Sequence, residues 1–220
     1  MTAKKSTTVT GHTGCMNTKA NSLASIAAAV ENGATIVEFD LNFDKNGTPV
    51  LSHDEPTGGE VTLDEAFAFA KQFDDLQINV DVKSTAFLEK VPALAENHGM
   101  TERIFYTGIF EKDVAAVKQK SPGIPYYINV NVRRLQSKKY LHTLAEKITA
   151  CGAVGINFNY RKATKKLADV FRRHGLLVSV WTVDDTDAMQ KMLALCPDNI
   201  TTRHPDELLR LAKTSPQKQI

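Results

Sequence analysis

The sequence predicts an α/β protein built as a TIM (β/α)8 barrel, with an extra β-hairpin strand after strand 2. Strand-like and helix-like segments alternate eight times along 220 residues, without a linker or a break in composition. A barrel of this kind begins at about 200 residues. Polar residues stand at the carboxyl ends of successive predicted strands, and in a barrel those ends meet at one mouth. An open doubly wound sheet is the alternative, but it would keep the first and last strands apart.

The eight units follow one another in chain order. β-branched residues predict a first strand from Thr7 to Gly11, and Asn21 is expected to cap the helix behind it. Thr62 is expected to cap the second helix. Apolar residues at helical spacing follow each later strand. Those strands are predicted at residues 36–43, 77–82, 103–107, 125–130, 154–159, 177–182 and 199–202. We therefore expect a single domain spanning residues 1–220.

The most informative stretch is residues 35–54, T-I-V-E-F-D-L-N-F-D-K-N-G-T-P-V-L-S-H-D. Glu38 and Asp40 lie two apart on a predicted strand, so their side chains share a face. Asn46-Gly47 predicts a two-residue type I′ turn, which sets Asp40 opposite His53, whereas a longer loop would move His53 toward Glu38. Either register places an imidazole beside two carboxylates. A divalent cation would relieve their repulsion.

Composition excludes several classes of protein. The chain is 42% hydrophobic and 24% charged with a net charge of +2, which argues against an extended nucleic-acid surface. Cys15, Cys151 and Cys196 are too few and too far apart for a disulfide framework or a zinc site. No apolar run approaches the ~18 residues of a membrane span, so stable membrane insertion is not expected. No signal peptide is visible, which favours a cytoplasmic location, although a trimmed leader would leave the same sequence. The sequence does not indicate an oligomeric state.

Polar residues near four strand ends are expected to converge at the barrel mouth. Carboxylates without cysteines or a close histidine pair favour Mg²⁺ or Ca²⁺ over zinc. Two imidazoles can move protons in both directions, and a lysine can hold an anion such as phosphate. The sequence therefore predicts a metal-assisted site. Its predicted members are His12, Glu38, Asp40, His53, Asp81 and Lys83.

Six motifs spread over nearly the whole chain carry a family resemblance. They are H-T-G at 12–14, E-F-D at 38–40, D-K-N-G-T-P-V-L-S-H-D at 44–54, D-V-K at 81–83, V-W-T-V-D at 180–184 and I-T-T-R-H-P-D-E-L at 200–208. Together they resemble the glycerophosphodiester phosphodiesterase family. The resemblance implies a TIM-barrel hydrolase of lipid metabolism with two acid–base histidines and a carboxylate-bound Mg²⁺ or Ca²⁺. The implied reaction splits a small-molecule glycerophosphodiester into glycerol 3-phosphate and an alcohol.

The resemblance also implies a role for each matching residue. His12 and His53 would be the catalytic pair, and Glu38, Asp40 and Asp81 would bind the metal. Lys83 would contact the substrate phosphate. Trp181 would be an aromatic substrate-binding residue at the mouth, and Asn21 would be a further substrate-binding residue.

Four departures from the family pattern bear on the substrate. Thr13 stands where the family has an arginine that contacts phosphate, and Ala20 replaces a glutamate. Asp81 is one methylene shorter than the usual glutamate, and only residues 55–61 fill the place of a common insertion. Two alternatives follow. One is a phospholipid head-group phosphodiesterase or lyase of the sphingomyelinase D-like branch, although no apolar surface loop is evident in the sequence. The other is a non-catalytic ligand-binding barrel.

Other polar residues have structural explanations. His98 and His174 each precede a glycine at a helix end, where a positive charge favours the helix dipole. Asp184 and Asp185 are expected to cap the helix after Trp181.

Overall fold

The computed structural model describes residues 7–214, which contain nine strands and eight α-helices. Eight strands are parallel and close into a ring, because the last strand pairs with the first. The third strand lies outside the ring, antiparallel to the second. The predicted barrel with one extra hairpin strand is therefore confirmed. The strands are β1 (Thr8–Gly11), β2 (Ile36–Phe43), β3 (Pro49–Leu51), β4 (Gln77–Val82), β5 (Ile104–Ile109), β6 (Tyr126–Asn129), β7 (Gly155–Asn159), β8 (Leu177–Trp181) and β9 (Asn199–Thr202).

One helix follows each strand of the ring, with the second helix coming after the hairpin. Their apolar faces cover the outside of the barrel, as the helical spacing predicts. Within residues 7–214, no helix is both long enough and apolar enough to span a bilayer. The helices are α1 (Leu23–Glu31), α2 (Leu63–Ala70), α3 (Lys90–His98), α4 (Val114–Lys120), α5 (Lys138–Cys151), α6 (Lys165–Arg173), α7 (Thr186–Leu195) and α8 (Pro205–Thr214).

The caps of two helices test the local reading of the sequence. Thr62 caps α2 as predicted, and its hydroxyl accepts a hydrogen bond from the Glu65 N–H at 3.2 Å. The cap of α1 is Ser22, which accepts from the Ser25 N–H at 3.2 Å. The predicted cap, Asn21, is wrong by one residue. It has a left-handed backbone with φ 54°, and its side chain is engaged elsewhere.

The register predicted for a two-residue turn is also wrong by one residue, and the hairpin has the longer loop that was the alternative. Leu41 pairs with Leu51, so Asp40 lies opposite Ser52 instead of His53. The cause is Asp44, whose carboxylate accepts hydrogen bonds from the Asn46 and Thr48 N–H groups at 2.9 and 2.7 Å. This local bonding favours a three-residue loop over the two-residue turn that Asn-Gly predicts. His53 consequently follows the paired part of the hairpin and is free to reach the mouth.

The interior of the barrel is polar. Two buried side chains on neighbouring strands are joined by a hydrogen bond, since the Thr107 hydroxyl lies 2.8 Å from Asn79 Oδ1. On the opposite wall Asn199 accepts from Thr10 at 2.9 Å and donates to Ser179 at 3.1 Å. Many barrels fill this space with branched apolar residues. Here a hydrogen-bonded polar layer leads up to the mouth.

At Gly108 the backbone of β5 lies very close to the backbone of β4, and we predict that Gly108→Ala destabilises the protein strongly. Its φ of 75° is left-handed, and an added Cβ would lie 2.4 Å from the Val82 carbonyl oxygen. The left-handed backbone alone costs an L-residue about 1–2 kcal/mol, and the clash adds to that. Urea unfolding should show a loss of at least about 2 kcal/mol.

Gly99→Ala is the matched control for that experiment. Gly99 has a similar φ of 68°, but no atom lies within 4 Å of its added Cβ. It should therefore show only the backbone penalty. Equal losses in the two variants would contradict the close approach of β4 and β5 at Gly108.

Candidate active site

The carboxyl ends of the strands surround an open cavity of about 540 Å³. The cavity is lined by all but one of the side chains that the sequence singles out. Asn21 is the exception, since it lies beneath the cavity wall. Asn129 and Asn157 also line it. The predicted residues on its wall are His12, Glu38, Asp40, His53, Asp81, Lys83 and Trp181.

Three carboxylates form one cluster at the mouth. Asp40 and Asp81 are direct register partners on β2 and β4, and Glu38 lies two residues before Asp40 on the same face. One oxygen from each group lies within 4.8 Å of the others. Burial raises the pKa of Glu38 well above its usual range, and the neighbouring charges of Asp40 and Asp81 raise it further. The cluster is therefore under electrostatic strain.

Lys83 is the basic side chain that offsets this charge. Its Nζ lies 2.8 Å from Asp40 Oδ1 and 2.5 Å from Asp81 Oδ2. Burial by itself would lower the pKa of Lys83, but the Asp81 and Asp40 carboxylates outweigh that effect and raise it. The ammonium group is thus fully charged and already shared between two acids.

His12 is held at the inner wall of the cavity with a defined tautomer. Its Nδ1 lies 2.7 Å from the Thr13 carbonyl oxygen, which can only accept, so Nδ1 carries the proton. Nε2 is left as the basic nitrogen. Burial lowers the pKa of His12, and the positive charge of Arg203 lowers it further. The hydrogen bond to Thr13 and the charges of Asp40 and Asp184 act in the opposite direction but do not outweigh burial. The imidazole is therefore neutral at pH 7.

His53 lies on a solvent-facing part of the wall of the same cavity. Its Nδ1 lies 2.9 Å from Asp54 Oδ1, and its side chain is 68% exposed. The neighbouring carboxylate favours an imidazole with a proton on Nδ1. The two histidines therefore have different environments, one buried and one solvated.

Asn21 and Thr13 lie behind the acid cluster and hold it. The Asn21 amide nitrogen donates to Asp40 Oδ2 at 2.9 Å, and its oxygen accepts from the Asp40 N–H at 3.0 Å. The Thr13 hydroxyl accepts from the Asn21 N–H at 2.6 Å, and the Thr13 N–H donates to Glu38 Oε2 at 2.9 Å. These contacts place Asn21 under Asp40 instead of on the cavity wall. The Thr13 side chain is buried and faces Asn21.

Arg203 is a cavity residue that the sequence reading missed. It follows β9 directly, beside His12, whose N–H donates to the Thr202 carbonyl at 2.8 Å. Asp184 holds it, accepting from Arg203 Nη1 and from the Arg203 N–H, each at 2.7 Å. The expectation that Asp184 caps α7 is therefore wrong, whereas Asp185 does cap that helix. The signal that the sequence offered for Arg203 was its position directly after a predicted strand.

Two buried polar atoms on the cavity wall have no hydrogen-bond partner among the described residues. They are Trp181 Nε1 and Asn157 Oδ1. A buried N–H that lacks a partner loses its hydration without compensation. A ligand hydroxyl or phosphate oxygen in the cavity would restore a hydrogen bond to the indole. The structure thus supports a binding role for Trp181 in addition to its packing.

The acid cluster fits a hard divalent cation. All three groups offer carboxylate oxygen, the ligand that Mg²⁺ and Ca²⁺ prefer. Glu38 and Asp40 are buried, so solvent cannot relieve their repulsion. The donors do not select between Mg²⁺ and Ca²⁺.

Comparison with known proteins gives one consistent family. The model of the glycerophosphoryl diester phosphodiesterase family matches residues 11–84 and 62–207. A glycerophosphodiester phosphodiesterase of Caldanaerobacter subterraneus is 23% identical over 94% of this chain and 98% of its own length.

Two solved structures share the fold. A glycerophosphodiester phosphodiesterase from Parabacteroides distasonis superimposes with a TM-score of 0.77 at 20% identity, over 96% of this chain and 99% of that one. A phosphodiesterase from Oleispira antarctica, solved with the product sn-glycerol-3-phosphate, gives 0.77 at 17% identity, over 95% and 98% of the two chains. At these identities the two structures establish the barrel fold.

Strain in the acid cluster predicts that Glu38→Gln stabilises the metal-free protein. Glutamine keeps an oxygen to accept from the Thr13 N–H but removes a buried charge beside two others. We expect a gain of about 0.5–2 kcal/mol in the free energy of unfolding, the usual scale where a functional site is destabilising. Urea unfolding in EDTA is the measurement, with the exposed Glu102→Gln as control. A destabilised Glu38→Gln variant would contradict the account.

Proposed function

Because the chain belongs to the glycerophosphoryl diester phosphodiesterase family, and is therefore a phosphoric diester hydrolase, we propose that the mouth cavity is its active site. The proposed reaction is metal-dependent hydrolysis of a glycerophosphodiester to glycerol 3-phosphate and an alcohol. The observation that carries the proposal is the meeting of two histidines, three carboxylates and a lysine in one cavity. These groups come from separate segments of the chain, and the folded barrel brings them together in one cavity.

In this proposal Glu38, Asp40 and Asp81 hold a divalent cation. When bound, the cation would offset negative charge on the phosphate oxygens and favour deprotonation of the attacking hydroxyl. The side chains behind it keep the carboxylates in place. Asn21 donates a hydrogen bond to Asp40, and the Thr107 hydroxyl oxygen lies 2.6 Å from Asp81 Oδ1. Such support keeps a ligand set ordered before metal binds.

His12 is the proposed general base. Its neutral imidazole has its proton on Nδ1, so Nε2 can accept a proton from the attacking hydroxyl. That hydroxyl belongs either to water, which gives glycerol 3-phosphate directly, or to the substrate next to the phosphate, which gives a cyclic phosphate that a water molecule must then open. As its proton moves to His12, its oxygen bonds to phosphorus. Burial favours this role because it disfavours a permanently charged imidazole.

His53 is the proposed general acid. It donates a proton to the leaving alcohol oxygen as the bond from that oxygen to phosphorus breaks. Its exposed position suits an alcohol group that projects toward solvent, and Asp54 holds the ring. Afterwards His12 releases the proton it has gained to solvent, and the exposed His53 takes up a proton from solvent, so the cycle restores both imidazoles.

Phosphate binding needs positive charge beyond the cation, and two residues can supply it. Lys83 is fully charged but lies between Asp40 and Asp81, whose negative charges offset part of its positive charge. Thr13 faces Asn21 and offers nothing to the cavity. Arg203 lines the cavity beside His12, and its contact with Asp184 uses one of five N–H donors. We therefore include Arg203 among the substrate-binding residues.

The two histidines supply the most direct test of the function. His12→Ala and His53→Ala should each lower kcat for a glycerophosphodiester by about 10²-fold or more. The double variant should lose much less than the product of the two effects, because the pair acts as a unit. Release of glycerol 3-phosphate with Mg²⁺ or Ca²⁺ is the readout.

His142→Ala is the control for that experiment, since His142 lies on α5 outside the cavity. Near wild-type kcat in either single variant would remove that histidine from the mechanism. A substrate panel that includes sphingomyelin tests the lipid head-group alternative. No turnover of any phosphodiester would favour the non-catalytic barrel.

Arg203 allows a test of substrate binding separate from proton transfer. A charged hydrogen bond contributes about 1.5–3 kcal/mol, so Arg203→Ala should lower kcat/KM by about tenfold or more. The change should lie mainly in KM, with glycerol 3-phosphate becoming a weaker inhibitor by a similar factor. Arg203→Lys should recover part of the loss. Unchanged kcat/KM in Arg203→Ala would exclude the contact.

A further inference from the structure

The rim of the barrel mouth exposes apolar side chains. Among residues 7–214, the exposed large apolar residues are Phe87, Phe110 and Leu135, with 38%, 49% and 87% of their surface accessible. They lie on the loops that follow β4, β5 and β6, three neighbouring strands of the ring. Loops after parallel strands share one face of a barrel, so all three lie on the face that holds the cavity. Phe110 also lines the cavity itself.

The part of this rim that carries Leu135 is strongly basic. Residues 130–139 and 160–168 contain eight lysines and arginines and no aspartate or glutamate, although the whole chain has a net charge of only +2. Both stretches follow ring strands and include the first turns of α5 and α6, so they lie at the mouth face. In the described part of the chain, only Lys165 among the eight forms an ion pair, with Asp169. The eight are Arg133, Arg134, Lys138, Lys139, Arg161, Lys162, Lys165 and Lys166.

The loop that presents Leu135 is tied to its neighbour. Gln136 donates to the Lys162 carbonyl at 2.7 Å and accepts from the Thr164 hydroxyl at 2.6 Å. Lys166 donates to the Gln136 carbonyl at 3.2 Å. These bonds join the two basic stretches into one surface. Leu135 therefore projects from a braced loop between cations.

We propose that this rim docks the protein on an anionic phospholipid surface, with the active-site mouth facing the lipid. Each basic residue near such a surface adds attraction, and exposed apolar side chains enter the boundary between head groups and acyl chains. Nucleic acid would pair with the cations but would leave Leu135 and Phe110 in contact with a polar partner. The apolar tips therefore favour lipid.

Such docking would be peripheral and reversible. Attraction by a few cations and apolar side chains is much weaker than a membrane-spanning helix. It goes beyond the proposed hydrolysis, because binding does not depend on turnover. It would hold the open cavity at a surface rich in phosphate esters.

Sedimentation of the full chain with lipid vesicles tests the proposal. We expect binding to vesicles of phosphatidylcholine with phosphatidylglycerol, little binding to phosphatidylcholine alone, and release at high salt. Each lost cation should weaken binding by about fivefold, so Arg133→Gln with Arg134→Gln should weaken it at least tenfold. Leu135→Ser should also weaken it at unchanged charge.

Arg210→Gln with Lys213→Gln is the matched control. It makes the same charge change in the C-terminal half of α8, away from the mouth. Hydrolysis of a soluble glycerophosphodiester should be unchanged in both double variants, which separates failure of docking from failure of the proposed function or of folding. Equal loss in both double variants, or wild-type binding in Leu135→Ser, would overturn the proposal. So would the absence of vesicle binding, or binding to single-stranded nucleic acid that Leu135→Ser leaves unchanged.

Discussion

Repulsion between three carboxylates at the barrel mouth is the constraint on which the rest of the site depends. Glu38, Asp40 and Asp81 lie together because β2 and β4 pair in parallel with Asp40 opposite Asp81. Buried like charges raise the free energy of the folded protein unless a cation or a proton offsets them. Lys83 offsets part of this charge, and hydrogen bonds from Thr13 and Asn21 fix the geometry. The arrangement is therefore expected to lower the stability of the metal-free protein.

That charge balance also explains the division of labour proposed for the other polar groups. A divalent cation and Lys83 together would neutralise the three acids and leave little net charge for an anionic substrate. Arg203 lies on the other side of His12, outside the cluster, where one acid, Asp184, offsets its charge, against two acids for Lys83. Asp184 fixes one edge of the guanidinium and leaves other N–H groups open to the cavity. The two histidines differ by burial, and this difference is the basis for proposing His12 as the base and His53 as the acid.

Local sequence patterns predicted much of the fold and of the site. The eight strand–helix units and the polar strand ends are properties of short segments, and they were sufficient to predict the barrel and the position of Glu38, Asp40 and Asp81. The hairpin register failed because the Asp44 side chain competes for backbone N–H groups. Arg203 was missed because its partner, Asp184, comes from a different strand–helix unit. Leu135 gave no signal, since a single leucine in a loop becomes informative only when its exposure is known.

Calorimetric titration of Mg²⁺ or Ca²⁺ into the metal-free protein measures the central claim directly. The account predicts one binding site in the wild type, because three carboxylate oxygen donors, two of them from buried residues, converge there. The Asp81→Asn variant should bind the cation much more weakly, since the substitution removes one negatively charged ligand. It also removes one of the two acids that pair with Lys83. Absence of cation binding in the wild type, or equal affinity in Asp81→Asn, would contradict the account.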